Sequence, residues 1–342
     1  MPHYYAALDV SLETTCICIV DTEGAILVER KTASDPDSIA RVLAAAAADL
    51  VRCGLEAGPL SPWLHGELVR RGIPMVCLET RHAKAALGAM RNKTDKNDAR
   101  GLAQLVRTGW FRAVHVKSSE SQELRALLAG RKLLHGKCLD VENQIRGLLK
   151  AFGLRLGLVA RARYDRRVME LLVGQPRLRA VVQPLLRARA ALWAEFNTLH
   201  LLLLRTARKD PVCRRLMTVP GVGPVSSMTF KTGVDDPARF SRSRTVGAHF
   251  GLTPRRYNSG EIDRSGAISK VGDAMVRESL YEAAHIMLTR VQADLPLKRW
   301  AQGIVRRGGP QRAKVALARR LAVVLQRIWR DGTVFDPGFE VT

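Results

Sequence analysis

Four acids stand where chemistry could be done. Asp9 closes an apolar run in ALDVS, Glu56 closes another in CGLEAG, and Asp95 and Asp98 lie three apart in RNKTDKNDAR. Acids at the carboxyl ends of adjacent strands point into one crevice, and a spacing of three sets Asp95 and Asp98 on neighbouring faces of a helical turn. Four carboxylates gathered in one crevice repel one another unless a cation joins them. Two Mg2+ ions about 4 Å apart answer that need, clamping the attacking and leaving oxygens of a phosphodiester. Each acid also has a plainer reading: Asp9 as a turn cap, Glu56 as a solvated loop acid, Asp95 as the N-cap after Lys93-Thr94. Asp21, Glu13 and Glu79 are rival acids, and Asp21 falls into a polar hairpin turn. The four together, set in strand order before a basic remainder, favour the metal site.

The elements that must position these acids read as α/β. A strand ends at Asp9, a second spans Thr15–Val20, and Gly24 turns the chain into a third over Ala25–Arg30. A helix follows, with its cap region at Asp35 to Ser38 and its apolar face over Ile39–Leu50. Then come the apolar run Leu50–Leu55 closing at Glu56, a loop and helix, a strand at Pro74–Leu78, and a helix over Ala99–Arg107. Three hairpin strands followed by helix, strand, helix and strand predict a mixed sheet, in the order of an RNase H-like fold.

Beyond residue 118 the period changes. Leu134, Cys138, Val141, Ile145, Leu148 and Phe152 step by four and three, as do Leu178, Val182, Leu185, Ala188, Leu192, Phe196, Leu199 and Leu203. This spacing predicts two long helices with coiled-coil seams, joined through Gly153 to Gly157, with Pro184 kinking or starting the second. They suit an arm, an oligomer contact or an ordinary bundle. The segment LMTVPGVGPVSSMTF, Leu216–Phe230, has the pattern of a helix-hairpin-helix. Its Gly221 and Gly223 would expose backbone N–H groups beside a helix N-terminus, able to grip a DNA phosphate without reading sequence. A final helix, Ala313–Arg330, carries Arg319, Arg320, Arg327 and Arg330 around a stripe of Val315, Leu317, Leu321, Val324 and Leu325. The expected organisation is therefore α/β plus α: an acidic domain at 1–117, a helical region at 118–208, and a mostly helical domain at 209–342.

Charge supports a nucleic-acid partner. Residues 1–100 hold 12 Lys+Arg against 13 Asp+Glu, whereas the remaining residues hold 43 against 19, so all of the formal +23 lies after residue 100. A polyanion is the natural partner for such an excess. No apolar run reaches the roughly eighteen residues a membrane span requires, the cluster Leu199–Leu204 being short and interrupted by His200. Met1 to Tyr5 is polar and aromatic and leads at once into a strand, unlike a signal peptide. Six cysteines without a CxxC pair read as reduced core residues of a cytoplasmic protein.

Asp9, Glu56 and the KTDKNDA segment with Asp95 and Asp98 resemble the DEDD transposases of bacterial insertion sequences, the IS110 group. The segments PGVGPVSSMTF, FSRSRTVGAHFGLTPRRYNSG and GAISKVGDAMVRESLYEAA resemble that group's C-terminal domain. One departure is Glu56-Ala57-Gly58-Pro59, where the family carries Glu-Ala-Thr-Gly. The resemblance implies a RuvC-like N-terminal domain, DNA strand cleavage and exchange, a structured non-coding guide RNA, and a homo-oligomer, dimer or tetramer. It also implies that a serine serves as nucleophile together with the acidic site, and the matching position is Ser259 in Tyr257-Asn258-Ser259-Gly260. A serine hydroxyl facing a held phosphate can attack phosphorus and form a phosphoserine. Gly260 permits a sharp turn there, and Arg255, Arg256, Arg264 and Lys270 are the neighbouring phosphate clamps. From the residues alone Ser259 reads as an ordinary turn serine, with Ser265 and Ser269 as rivals.

Three other readings share these residues. A RuvC-like endonuclease would cut junctions with metal-activated water and no covalent intermediate. A nucleic-acid-binding factor could carry an inactive nuclease fold. An actin-like phosphotransferase also begins with a strand-borne Asp, but the chain has neither a second copy of the fold nor a Gly-rich nucleotide loop.

Overall fold

A computed structural model describes residues 3–46, 49–88, 94–260 and 262–338. The chain divides into two compact units, residues 1–117 and 118–342.

In the first unit, β1 (Tyr4–Val10), β2 (Thr14–Val20) and β3 (Ile26–Ala33) form an antiparallel meander. After α1 (Pro36–Ala46), strand β4 (Leu50–Glu56) joins β1 in parallel; after α2 (Ser61–Arg70), β5 (Met75–Leu78) joins β4 in parallel. The sheet order is β3-β2-β1-β4-β5, a five-stranded mixed sheet as the strand pattern predicts. Two helices follow: α3 (Thr80–Leu87), which the sequence pattern does not predict, and α4 (Asp95–Thr108), which starts four residues before the expected Ala99.

Alternation along the strands feeds two cores. Ala6, Leu8, Ile17, Ile19 and Leu55 pack with Ile39 and Leu43 of α1 and Leu64 and Leu68 of α2. Ala7, Cys18, Val20 and Leu78 face the other way and pack against Ala99, Leu102, Ala103 and Val106 of α4. Gly54 leaves the room this second layer needs, because a Cβ there would fall 2.3 Å from Val106 Cγ2.

The second unit is mostly helical. Helices α5 (Ser119–Ala151) and α7 (Pro176–Lys209) pair antiparallel, with Leu128 near Leu203 at one end and Ile145 near Leu178 and Leu186 at the other. The connection between them differs from a simple glycine link. It holds α6 (Tyr164–Leu171), whose Tyr164 and Val168 complete the apolar cluster at the tip of the pair. Pro184 neither starts α7 nor ends it; the helix begins at Pro176 and runs through. The predicted seam is interrupted: Phe152 and Ala188 are exposed, and Arg189 takes the buried position instead. Its charge is met by Glu142 at 2.8 Å and Asp165 at 2.7 Å, and its guanidinium lies over the Tyr164 ring.

Then follow α8 (Pro211–Leu216), α9 (Pro224–Val234), α10 (Thr245–His249), the hairpin β6 (Pro254–Ser259) and β7 (Ile262–Ile268), α11 (Ala274–Thr289) and α12 (Pro296–Asp331). The last helix is longer than the sequence suggests and breaks at Gly309, before Pro310. Its stripe is core, with Leu317, Leu321, Val324 and Leu325 buried against α9, α10 and α11. The segments 118–208 and 209–342 share an apolar cluster of Leu128, Leu203, Ala207, Cys213 and Met228. Among the described residues no helix is long and apolar enough to cross a membrane, and all six cysteines are free.

Candidate functional site

The parallel register of β1 and β4 ends with Leu8 opposite Leu55, so Asp9 and Glu56 follow side by side on neighbouring strands. Because Leu8 and Leu55 face α1 and α2, the next residues turn toward the face covered by α4. Both acids line one cavity at the carboxyl edge of the sheet, about 270 Å3 in volume, walled by residues 9–12 and 56–61. The loop after Glu56 is closed locally: Ser61 Oγ donates to the Gly58 carbonyl at 2.7 Å and accepts from its N–H at 2.9 Å. Thr80 Oγ1 donates to the Ala57 carbonyl at 2.7 Å. The Ala57-Gly58-Pro59 departure is thus accommodated by a side-chain-closed turn that leaves Glu56 on the cavity wall.

Helix α4 brings in the other two acids. Thr94 is extended and accepts from the Asn97 N–H at 3.2 Å, so the cap is Thr94 and the plainer reading of Asp95 as the N-cap does not hold. Asp95 is the first helical residue and Asp98 sits in the same turn, where the helix dipole favours negative charge. Asp95 is exposed and Asp98 half-buried. Lys93 lies outside the described residues. Burial first, then Asp95, pushes the Cys16 thiol above its usual range, with a smaller contribution from Asp9, which lies opposite Cys16 across β1 and β2. Asp95 and Asp9 are therefore at the same end of the sheet. Among the described residues, no three acidic, histidine or cysteine side chains are close enough to one another to hold an ion. The structure brings Asp9 and Glu56 into one cavity and Asp95 to the same end of the sheet, without closing the four into a single cluster. As a donor set, carboxylates alone suit a hard divalent cation. Asp21 is engaged in its own turn, accepting from the N–H groups of Glu23 and Ala25.

Ser259 ends β6 at the tip of the two-stranded hairpin, opposite Ile262, and Gly260 beside it has φ +57°. Every described residue from Pro254 to Ala267 is exposed. Arg256 is held by Asp263 across the hairpin through two bonds of 2.9 and 2.7 Å, and Arg255 donates to the Ser269 carbonyl at 3.3 Å. Arg264 stands opposite Tyr257 and Ser265 opposite Arg256. Lys270 follows the hairpin, with a φ of +56°. The base of the hairpin depends on a residue the sequence reading missed. Arg277 on α11 donates through Nη1 to the carbonyls of Phe250, Val271 and Gly272, at 3.3, 2.8 and 3.0 Å.

The glycine turn before α9 carries two different glycines. A Cβ on Gly221, whose φ is +92°, would fall 2.6 Å from the Ala283 carbonyl oxygen, so this glycine lets the turn press on α11. Gly223 is the N-cap of α9, and a Cβ there would meet nothing within 4 Å. On α12, Arg320 lies over the Trp300 ring and Arg330 pairs with Asp331.

Comparison with known proteins finds two matching families. Residues 6–153 match a family described as transposase, and residues 213–300 match the family described as transposase IS116/IS110/IS902. The chain is 29% identical to the transposase for insertion sequence element IS1111A of Coxiella burnetii, over 93% of this chain and 87% of that protein. It is 30% identical to a probable family 20 transposase of Pseudomonas aeruginosa, over 72% and 75% respectively. With the transposase for insertion sequence element IS1328 of Yersinia enterocolitica it shares 27% identity, over 72% and 74%.

Proposed function

The chain belongs to the IS116/IS110/IS902 family of transposases, and from that premise we propose that it cuts and exchanges DNA strands of an insertion sequence by a metal-assisted serine mechanism. The acidic half of the reading rests on one observation above all: Asp9 and Glu56 leave adjacent parallel strands at the same level and line one cavity. Asp9, Glu56, Asp95 and Asp98 are the residues that would hold Mg2+, two ions in this reading. A cation held there would neutralise phosphate charge and the charge developing on the departing oxygen. The sheet order β3-β2-β1-β4-β5, with acids at its carboxyl edge, supports a RuvC-like domain at 1–117.

Ser259 is the nucleophile of this reading. Its Oγ bonds to phosphorus as the bond from phosphorus to the departing sugar oxygen breaks; the serine proton leaves and the departing oxygen takes one up. Attack by a second strand's hydroxyl reverses these steps, restores the serine and makes the new phosphodiester. The full exposure of the hairpin supports access of a duplex to Ser259. Arg264 and Lys270 are phosphate contacts, with Arg255 and Arg256 joining them by giving up their bonds within the hairpin. The N–H groups at the start of α9, after Gly221 and Gly223, hold a further DNA phosphate. A structured guide RNA and a homo-oligomer complete the assembly, and the excess of positive charge after residue 100 supports the first of these. In this assignment residues 118–208 are the helical connection and residues 209–342 the serine-bearing domain.

A suicide-substrate assay tests the reading. Protein, Mg2+ and nicked, labelled junction DNA are combined with the element's adjacent non-coding RNA, and denaturing gels report any protein–DNA adduct. An adduct lost in both Ser259→Ala and Asp9→Ala is the expected result. Cleavage without an adduct, unchanged in Ser259→Ala, replaces the serine mechanism with a nuclease using water.

A further inference from the structure

Glu29 lies on β3, the edge strand, and takes no part in the four-acid set. Its carboxylate is nonetheless bound to the helix that carries two of those acids. Arg100 donates to both of its oxygens, through Nε to Oε1 and through Nη2 to Oε2 at 2.8 Å. Lys96 Nζ is 3.0 Å from Oε2. Lys96 sits between Asp95 and Asp98, and Arg100 two residues beyond Asp98, so one carboxylate grips the first turns of α4 from two directions. Further along, Gln104 Nε2 donates to the Gly24 carbonyl at 2.8 Å and Arg107 Nη1 to that of Thr22 at 2.9 Å. The β2–β3 hairpin thus holds α4 at both ends, with Glu29 at the end that bears Asp95 and Asp98.

The apolar stripe of Ala99, Leu102, Ala103 and Val106 already seats α4 on the sheet. What a stripe leaves loose is the rotation and height of the exposed first turn. A guanidinium bound at two points to a carboxylate, with a second cation on the same carboxylate, fixes both because its geometry is directional. We propose that Glu29 is a positioning residue of the acidic site, setting the orientation of α4 and through it the aim of Asp95 and Asp98. The inference rests on the reading of those two acids as metal ligands. Hydrogen bonding from Arg100, stronger than the opposing effect of burial, holds the Glu29 carboxyl at about 2, so the grip is intact at neutral pH.

The test uses the full-length chain and Mn2+ alone as probe. Electron paramagnetic resonance titrations measure Mn2+ affinity, and amide hydrogen exchange follows residues 95–108. Glu29→Gln is expected to weaken Mn2+ binding about tenfold, the scale of losing a partner that orients a ligand. It is also expected to speed exchange over residues 95–101 more than over 102–108, and Glu29→Asp to recover part of the affinity. Unchanged Mn2+ affinity in Glu29→Gln overturns the proposal. Asp95→Asn separates the two layers: wild-type Mn2+ binding in Asp95→Asn defeats the acidic-site reading itself. Loss of binding in Asp95→Asn but not in Glu29→Gln defeats only the positioning role. If Glu29→Gln does not fold, Arg100→Lys carries the same test, since it keeps the charge and removes the two-point geometry.

Discussion

Asp9 and Glu56 sit at the same level on the parallel strands β1 and β4, one step past the Leu8–Leu55 pair, and line a single cavity. Two carboxylates so placed, both partly withdrawn from solvent, repel each other, and a cation between them would relieve that repulsion.

Asp9→Asn is expected to keep the fold while lowering strand cleavage by about a hundredfold or more, the scale of removing one electrostatic group at a reacting centre. Differential scanning calorimetry and single-turnover cleavage check the pair of outcomes. A falling midpoint with normal cleavage would assign Asp9 a structural role.

Ser259→Ala touches an exposed residue at a hairpin tip, where substitutions change stability by less than about 0.5 kcal/mol. Urea unfolding should show no difference from wild type, and the protein–DNA adduct should disappear. Ser265→Ala and Ser269→Ala should both keep the adduct.

Arg189 is 4% exposed, and its guanidinium joins Glu142 to Asp165. Arg189→Leu leaves the half-buried Glu142 carboxylate with the Trp193 indole N–H but without its guanidinium, and should cost about 3–5 kcal/mol in urea unfolding. Adding Glu142→Gln to Arg189→Leu should recover part of that loss, because the stranded charge is gone.

Gly221 and Gly223 should respond differently to alanine. At Gly221 the new Cβ meets the Ala283 carbonyl at a left-handed φ, for an expected cost of about 1–3 kcal/mol. At Gly223, where φ is −98° and nothing lies within 4 Å, the change should stay within about 0.5 kcal/mol. Urea midpoints of the two variants provide the comparison.

The Glu29 grip also sets an acid limit. Its carboxyl is held at about 2 in the folded chain, below the ordinary value of 4.5. A depressed folded value contributes stability above the unfolded value, and this contribution is lost as pH falls from about 4.5 toward about 2. Thermal melts from pH 6 to 2.5 should show a shallower decline for Glu29→Gln than for wild type. Parallel curves would remove Glu29 from the acid transition.

Much of this architecture was legible because it is periodic. Alternation in TTCICIV and the apolar runs before Asp9 and Glu56 encode strands with one face to each helix layer, and the register of the sheet then follows. The four- and three-residue steps between Leu134 and Leu203 encode the paired helices α5 and α7 in the same way. The stripe from Leu317 to Leu325 is likewise core. These patterns are local, so a short stretch of chain specifies them.

Tertiary structure decided what depends on partners far apart in the chain. Nothing in ILVERKT distinguishes Glu29 from a solvated strand acid until Arg100, seventy-one residues later, folds against it. Arg277 is one of 55 Lys and Arg residues, and only the meeting of three carbonyls around it marks it as the clamp at the hairpin base. Arg189 breaks an apolar seam that periodicity alone would fill with a hydrophobe, because Glu142 and Asp165 converge on it from other turns. The amino-acid sequence alone determined the strands of the mixed sheet, the two long helices and the acids at the strand ends. Which charges are paired, and which helix is held where, is settled only on folding, because electrostatic pairing acts through space between residues that no local pattern relates.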